Sequence, residues 1–238
     1  MKMKLPIENR KSKIENAFTL VELLIVIAII GILVGFTIPV LKSVKRTQYI
    51  SHATAELKQL EAAIESYKAS HGFYPPGNGV APGYLPGALT NQLYYELEGT
   101  TYNDATHIYT TLDGATSIDS TTFGLLTDGL NIGGFANATK SGGDENSPTA
   151  KNFITGLKPP TATFAAHNNN LTVFVTSLGG PDTTYQPVGQ PDVNPFRYVY
   201  PGVNNPNGYD LWVQLEISGK TNLVCNWNTR PQINSPLP

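Results

Sequence analysis

The sequence predicts an α+β protein in which one long N-terminal helix packs on a small C-terminal antiparallel β-sheet, with a long irregular connecting region between them. Three observations lead to this prediction. Residues 18–41 are almost entirely apolar, and apolar side chains continue at helical spacing over residues 50–67. Residues 171–227 contain four segments rich in β-branched and aromatic residues, which is typical of strands.

The composition argues against several classes of protein. The chain of 238 residues carries 16 basic and 18 acidic side chains, so it lacks the basic excess of nucleic-acid-binding proteins. Cys225 is the single cysteine, so no intramolecular disulfide can form. The four histidines are scattered, and no nucleotide-binding or nucleophile motif is found. We therefore expect no metal site, no cofactor, no nucleic-acid partner and no enzymatic activity.

The chain begins with a basic leader, residues 1–17, followed by the apolar segment of residues 18–41. As a helix this segment would extend roughly 36 Å, enough to cross a hydrocarbon core about 30 Å thick. The alternative is a cleaved secretory signal, but the apolar run is too long for one and no small-x-small site follows it. We therefore predict a single membrane span.

Glu22 is the only ionisable residue of the predicted span. A carboxylate inside an apolar span is costly unless it is paired or lies near the interface. Two interpretations remain open: the side chain reaches the headgroups, or it pairs with a specific cation. If the chain were cut between Ala17 and Phe18, the new amine of Phe18 would supply that cation, on the same helix or on a neighbouring copy.

The stretch KSKIENA-FTLVELLIVIAIIGILVGFTIPVL, residues 11–41, strongly resembles the N-terminus of type IV prepilins and pseudopilins. The resemblance implies that a prepilin peptidase cleaves between Ala17 and Phe18 and that Phe18 is then N-methylated. It places Glu22 and Pro39 where the family carries its glutamate and its helix-breaking proline. Ala17 departs from the glycine that usually precedes the cut, so we expect slower cleavage.

Three residues are expected to weaken the predicted span. Pro39 has no N–H to donate to the Gly35 carbonyl, so the helix should kink or loosen there. Gly31 and Gly35 each cost about 1 kcal/mol relative to alanine inside a helix. These glycines are either small residues that permit close packing in a membrane or, as the resemblance implies, part of a segment that melts during assembly.

Residues 42–71 predict an amphipathic continuation of the helix, which should run from about Thr19 to Ser70. The apolar residues that recur at spacings of three and four are Ile50, Ala53, Leu57, Leu60, Ile64 and Tyr67. Gly72 and the pair Pro75-Pro76 supply the stop. A dimeric coiled coil is a less favoured explanation of the stripe, because it covers only about three heptads.

Residues 72–170 are rich in glycine, proline, asparagine, threonine and aspartate, and they predict a variable, mostly irregular connection with some undetected short elements. Leu89, Leu93 and Leu97 suggest a short helix around residues 88–98. Apolar residues between positions 123 and 130 suggest an anchor to the core, and residues 141–148 a flexible tip.

Residues 171–238 predict the antiparallel sheet. A three-residue turn at residues 218–220 would place Leu215 opposite Leu223 and Val213 opposite Cys225. The expected core between helix and sheet is formed by Leu57, Leu60, Ile64, Leu211, Val213, Leu215, Leu223 and Trp227. We expect Asp182, Asp192 and Asp210 to form turns or face solvent rather than bind calcium.

The segments NPFRYVYPG, YDLWV and NWN also resemble the end of the major type II secretion pseudopilin. The resemblance implies a structural subunit of a type II secretion pseudopilus, anchored in the inner membrane with a cytoplasmic N-terminus and a periplasmic head. Its implied partners are copies of itself, other pseudopilins, a prepilin peptidase, an assembly ATPase and a platform protein.

Two alternatives remain. The chain could be an extracellular type IV pilin for adhesion, motility or DNA uptake, although it has no C-terminal cysteine pair. It could also be a membrane-tethered binding module or enzyme. In that case a groove for sugar or peptide would be lined by Tyr198, Tyr200, Tyr209, Trp212 and Trp227.

Overall fold

The computed structural model describes residues 18–77, 91–119, 134–140, 142, 148–155, 157, 163–166, 171–176, 194–217 and 219–234, with the backbone alone for 36–43 and 163–166. The chain divides into two compact units, Met1–Lys45 and Arg46–Pro238. The leader, the anchor between positions 123 and 130, and most of the predicted tip lie outside the described residues. The same holds for Ala17, Leu89, Asp182 and Asp192.

One helix, α1, spans Leu20–His71, so the predicted ends are each within one residue of the observed ones. The backbone stays helical through Gly31, Gly35 and Pro39, so the loosening expected at Pro39 does not interrupt the helix. Proline removes one intrahelical hydrogen bond, and the bonds on either side continue the helix. Within the described residues, no helix combines the length and the apolar character that a membrane crossing requires.

Gly72 ends α1 as the sequence predicts. Its φ of 84° lies in the left-handed region, which glycine adopts without the steric penalty of a Cβ. The Gly72 N–H donates to the Lys68 carbonyl at 2.8 Å, which satisfies one of the carbonyls left open at a helix end. Pro75 and Pro76 follow and prevent a further turn.

The second unit adds short elements to the last part of α1. Helix α2 covers Leu93–Glu98, and the strands are β1 (Thr100–Asn103), β2 (Ile108–Thr111), β3 (Ser117–Asp119), β4 (Ala138–Lys140), β5 (Thr163–Ala166), β6 (Leu171–Phe174), β7 (Arg197–Val199), β8 (Asp210–Ile217), β9 (Lys220–Cys225) and β10 (Gln232–Ile233). The sheet orders are β3-β2-β1-β4, β10-β9-β8-β7 and β5-β6. All described pairings are antiparallel except that of β1 with β4.

The connecting region therefore contains regular structure that the sequence pattern did not reveal, apart from the helix expected around residues 88–98. Its first sheet consists of strands of three or four residues, too short to show a clear alternation of apolar and polar side chains. Thr101 lies between Thr110 and Thr139 in this sheet, so β1 and β2 form a local hairpin while β4 joins it from a distant part of the sequence. The expectation of undetected short elements is confirmed.

The register of the C-terminal hairpin differs from the predicted one. Val213 lies opposite Val224, and Gln214 lies opposite Leu223, so the predicted pairing is wrong by one residue. The connection has two residues, 218 and 219, because Ile217 pairs with Lys220. Two-residue turns suit hairpins because their twist matches that of the strands.

This one-residue slip changes which side chains face the helix, because neighbouring residues of a strand point to opposite faces. Leu57, Leu60 and Ile64 of α1 are buried in one cluster that also holds Leu211, Val213, Leu215 and Val224. Leu223 instead lies on the other face of the sheet, with Trp212, Cys225 and the half-buried Trp227. The assignment of Leu223 and Trp227 to the helix–sheet core is therefore corrected, and Val224 takes that place.

Candidate functional site

The N-terminal part of α1 exposes apolar side chains on all sides. Over residues 18–34 the large apolar side chains are between 45 % exposed, at Val26, and 80 % exposed, at Phe18. Successive residues of an α-helix are about 100° apart, so this nearly continuous run covers the full circumference. A helix that is apolar all round is normally buried in protein or lipid, so this surface is suited to association.

Glu22 and Thr19 close the first turn of this helix. The Thr19 backbone N–H and hydroxyl donate to Glu22 Oε2 at 2.9 Å and 2.7 Å, and the Glu22 N–H donates to Thr19 Oγ1 at 3.2 Å. This is a capping box, in which a threonine and a glutamate three residues later satisfy open backbone donors of the helix end. Our sequence interpretation missed it, although the Thr-x-x-Glu spacing signals it.

The cap leaves part of the Glu22 carboxylate for another partner. In the described part of the chain the carboxylate accepts two hydrogen bonds, both on Oε2, and the third bond of the cap is donated by the Glu22 backbone N–H. No lysine or arginine among those residues forms an ion pair with it. Oε1 is therefore available to a cation, and the positive end of the helix dipole favours the charged carboxylate at this position.

The sequence analysis also names Gly31, Gly35 and Pro39 in this segment, for their effects on the helix backbone. A Cβ added at Gly31 or Gly35 would meet no described atom within 4 Å, so no contact among the described residues requires these two glycines. They lie four residues apart and thus on the same face of the helix. Of Pro39 the structure describes the backbone, and Ala17 lies outside the described residues.

The aromatic groove of the tethered-module alternative is not formed by the described residues. Tyr198, Tyr209 and Trp212 are buried, with 2 %, 6 % and 2 % of their surface exposed. A depression of about 560 Å³ does lie beside Tyr74 and Tyr209, but most of its lining residues are polar: Glu61, Glu65, Asn204, Asn205, Asn207 and Asn226. Tyr198, Tyr209 and Trp212 therefore serve mainly as packing.

Asp210 forms a turn, as the sequence analysis expects. Its buried carboxylate accepts the backbone N–H groups of Val203, Asn204 and Asn205 at 2.8 to 3.0 Å. Gly202 is required beside it, because a Cβ there would lie 2.6 Å from Asp210 Oδ1. The described residues contain no group of three or more histidine, cysteine, aspartate or glutamate side chains placed to hold a metal.

Comparison with known proteins identifies the N-terminal segment. Residues 12–38 match the family model described as the prokaryotic N-terminal methylation motif. This chain carries a prepilin-type N-terminus. The matched residues include the capping box and most of the exposed apolar helix, so the prepilin-type segment coincides with the surface suited to association.

The relatives of this prepilin-like chain are pilins and a secretion protein. Type IV major pilin protein PilE1 of Neisseria gonorrhoeae is 36 % identical over 65 residues, which is 27 % of this chain and 30 % of the relative. Type II secretion system core protein G of Vibrio cholerae is 33 % identical over 66 residues, 28 % of this chain and 45 % of the relative. A fimbrial protein of Neisseria meningitidis is 34 % identical over 65 residues, 27 % and 38 % of the two chains.

The similarity is confined to part of each protein, since the chain spans 30 to 45 % of the length of these three relatives. No solved structure matches the chain. The relatives are pilins and a secretion-system component rather than enzymes, in agreement with the prediction of a structural protein.

Proposed function

We propose that the chain is a filament subunit that polymerises through residues 18–41, and specifically a subunit of a type II secretion pseudopilus. The observation that carries the proposal is the coincidence of the methylation motif with a helix whose apolar side chains are exposed all round. Copies that pack side by side would bury this surface. Each Leu, Ile or Val side chain taken fully out of water contributes about 1.5 to 3 kcal/mol.

Before assembly, the same helix would be held in the inner membrane, with the N-terminus in the cytoplasm and the second unit in the periplasm. Lipid tails are as apolar as leucine, so between lipid-embedded helices the hydrophobic effect gives no preference for a partner. Close packing at small residues and polar contacts decide instead. Gly31 and Gly35 offer a small-residue face, and Glu22 offers the polar contact.

Processing would complete the polar contact. We propose that a prepilin peptidase cuts between Ala17 and Phe18 and that the amine of Phe18 is then methylated. Oε1 of Glu22 would pair with the amine of a neighbouring copy while Thr19 holds Oε2. A buried carboxylate and amine that pair are far less costly than either charge alone, so the contact would select one register. Other pseudopilins, an assembly ATPase and a platform protein are the further proposed partners.

A second candidate is an extracellular type IV pilin, and the names of two relatives, a type IV major pilin and a fimbrial protein, favour it. The secretion-system relative is the one of the three that is covered over the largest share of its length, 45 %.

Deleting the gene, imaging the cell surface and measuring the secreted proteins separates the two candidates. A pseudopilus subunit is expected to leave surface fibres unchanged and to block protein secretion, whereas lost fibres with normal secretion would favour the pilin.

The proposal of a filament subunit is tested at the N-terminus of the native protein. Mass spectrometry is expected to find a mature chain that begins at Phe18 and carries one methyl group on its amine. A membrane-tethered binding protein has no need of this modification. A native chain that begins downstream of residue 41, or that functions with its leader intact, would contradict the proposal.

A further inference from the structure

Glu96 is a buried carboxylate where three elements of the second unit meet. It lies on α2, and 0 % of its surface is exposed. Among the described residues, no lysine or arginine forms an ion pair with it. A buried charge without a counter-ion is costly unless hydrogen bonds compensate it, so its partners decide how it behaves.

Four donors converge on this carboxylate. Oε1 accepts the Ala136 N–H at 2.8 Å and the Gln92 side-chain amide at 3.3 Å. Oε2 accepts the Asn137 N–H and the Tyr67 hydroxyl, both at 3.0 Å. Glu96 thus connects α1, its own helix and the segment that leads into β4. Two donors on each oxygen satisfy an ionised carboxylate.

The same arrangement does not suit a protonated side chain. A proton on either oxygen needs an acceptor, and the N–H groups of Ala136, Asn137 and Gln92 can only donate. Of the four partner groups, the Tyr67 hydroxyl can also accept, and the Gln92 side chain can accept through its amide oxygen if the amide turns over. Protonation therefore requires one of these two side chains to rearrange or one of the two backbone N–H groups to be released.

Other titratable groups among the described residues lie near Glu96. Tyr109 on β2 and Tyr198 on β7 interact with its charge, and His71 on α1 stacks on Tyr67 with 4.2 Å between ring centroids. Glu98 on α2 instead accepts a hydrogen bond from Asn152 at 2.7 Å. Burial raises the pKa of Glu96 to about 7, although its hydrogen bonds oppose that rise.

We propose that Glu96 is a proton-operated latch, which when ionised fastens Ala136 and Asn137 to α1 and α2 and when protonated loosens this attachment, while β4 stays paired with β1. None of the four hydrogen bonds involves β8 or β9. The two states would exchange over a mildly acidic to mildly alkaline range, because the side chain changes charge there.

Hydrogen exchange of the full chain, followed by mass spectrometry at about pH 5.5 and about pH 8.5, tests the latch. Peptides from β8 serve as the internal reference, which removes the effect of pH on chemical exchange. We expect peptides covering residues 134–140 to exchange about tenfold faster, relative to β8, at the acidic pH, as for the loss of a hydrogen bond to a charged group. A ratio that does not change with pH would overturn the proposal.

Variants identify the group responsible. Glu96→Gln is expected to abolish the pH dependence of the ratio, while Glu98→Gln and His71→Gln keep it. A pH dependence that survives Glu96→Gln, or disappears in His71→Gln, would overturn the proposal. If Glu96→Gln does not fold, the exchange ratio of the unmodified chain is followed across the pH range instead. The pH at the midpoint of its change then tests the proposal. A midpoint near 7 supports the latch, and one near 4.5, the ordinary value for glutamate, contradicts it.

Discussion

At the residue scale, Glu22 caps the helix and is proposed to pair with an amine, and the geometry of the capping box separates these two tasks. One carboxylate oxygen holds the helix start through Thr19, and the other has no hydrogen-bond partner among the described residues. The helix cap needs an acceptor but no charge, because a neutral side-chain oxygen can also accept from a backbone N–H. Pairing with an amine in an apolar setting needs the charge.

Replacing Glu22 by glutamine therefore distinguishes the two tasks. The amide oxygen introduced by Glu22→Gln can still accept from Thr19, so the precursor should insert and be cleaved normally. We expect it to be excluded from filaments built with unmodified subunits, which co-purification of tagged variant and unmodified protein would measure. Glu61→Gln, a charge change on the same helix within the second unit, serves as the control and should enter filaments. Normal incorporation of Glu22→Gln would contradict the proposed pairing.

Two other acidic side chains, Glu56 and Glu96, are buried by residues that lie far away from them in the sequence. Glu56 is not part of the apolar stripe of α1, yet it is buried and accepts a hydrogen bond from the Thr176 hydroxyl at 2.5 Å. Glu96 is covered by residues some forty positions later. No local pattern reports such contacts.

At the scale of the elements, the hairpin of β8 and β9 determines which side chains lie on each face of the C-terminal sheet. Its two-residue connection places Val224 toward α1 and leaves Leu223 and Cys225 beside Trp212. Gly219 in this connection has φ of 70°. A left-handed residue there gives the connection the twist that the two strands need.

Substitution of Gly219 tests this account of the turn. A Cβ at this position would meet no described atom within 4 Å, so only the backbone conformation opposes a side chain. We expect Gly219→Ala to lower the free energy of unfolding by about 1 to 2 kcal/mol. Gly219→Asn should lower it less, because asparagine tolerates the left-handed region. Urea denaturation measures both, and equal stability of the alanine variant would show that the turn does not require glycine.

The elements differ in how far the sequence predicts them, for a physical reason. Helix α1 was predicted with its ends within one residue because its apolar pattern and its stop signals are local. The short strands β1 to β4 were missed because each has only three or four residues, too few to show a clear alternation, and because β4 in addition pairs with a strand far away in the sequence. The register of β8 and β9 was missed because one residue more or less in a turn leaves the strand pattern unchanged.

At the scale of the whole molecule, the chain divides into two compact units, and most of the exposed large apolar side chains of the described residues belong to the first. The main core lies in the second unit, where it runs from Ala53 to Val224 and includes the last part of α1. The proposed assembly surface and the folded core therefore lie in different parts of the chain.

A chain that begins at Arg46 tests this division. It keeps every residue of the main core, so we expect it to fold and to remain monomeric, while the full chain associates. Near-ultraviolet circular dichroism would report the packed aromatic residues, and size-exclusion chromatography would report the mass. A shortened chain without an aromatic signal would show that the second unit depends on the first, and one that still associates would place an assembly surface in the second unit.

The sequence by itself determined the prepilin-type segment, the acid within it and the long helix, because a continuous apolar run and a helical stripe are signals carried by neighbouring residues. Only the tertiary structure decided which face of the C-terminal sheet meets the helix, which strands the connecting region forms and that Glu96 is enclosed by four donors. The first depends on a single residue of turn length, and the other two depend on contacts made across the fold, whose free energies no local pattern contains.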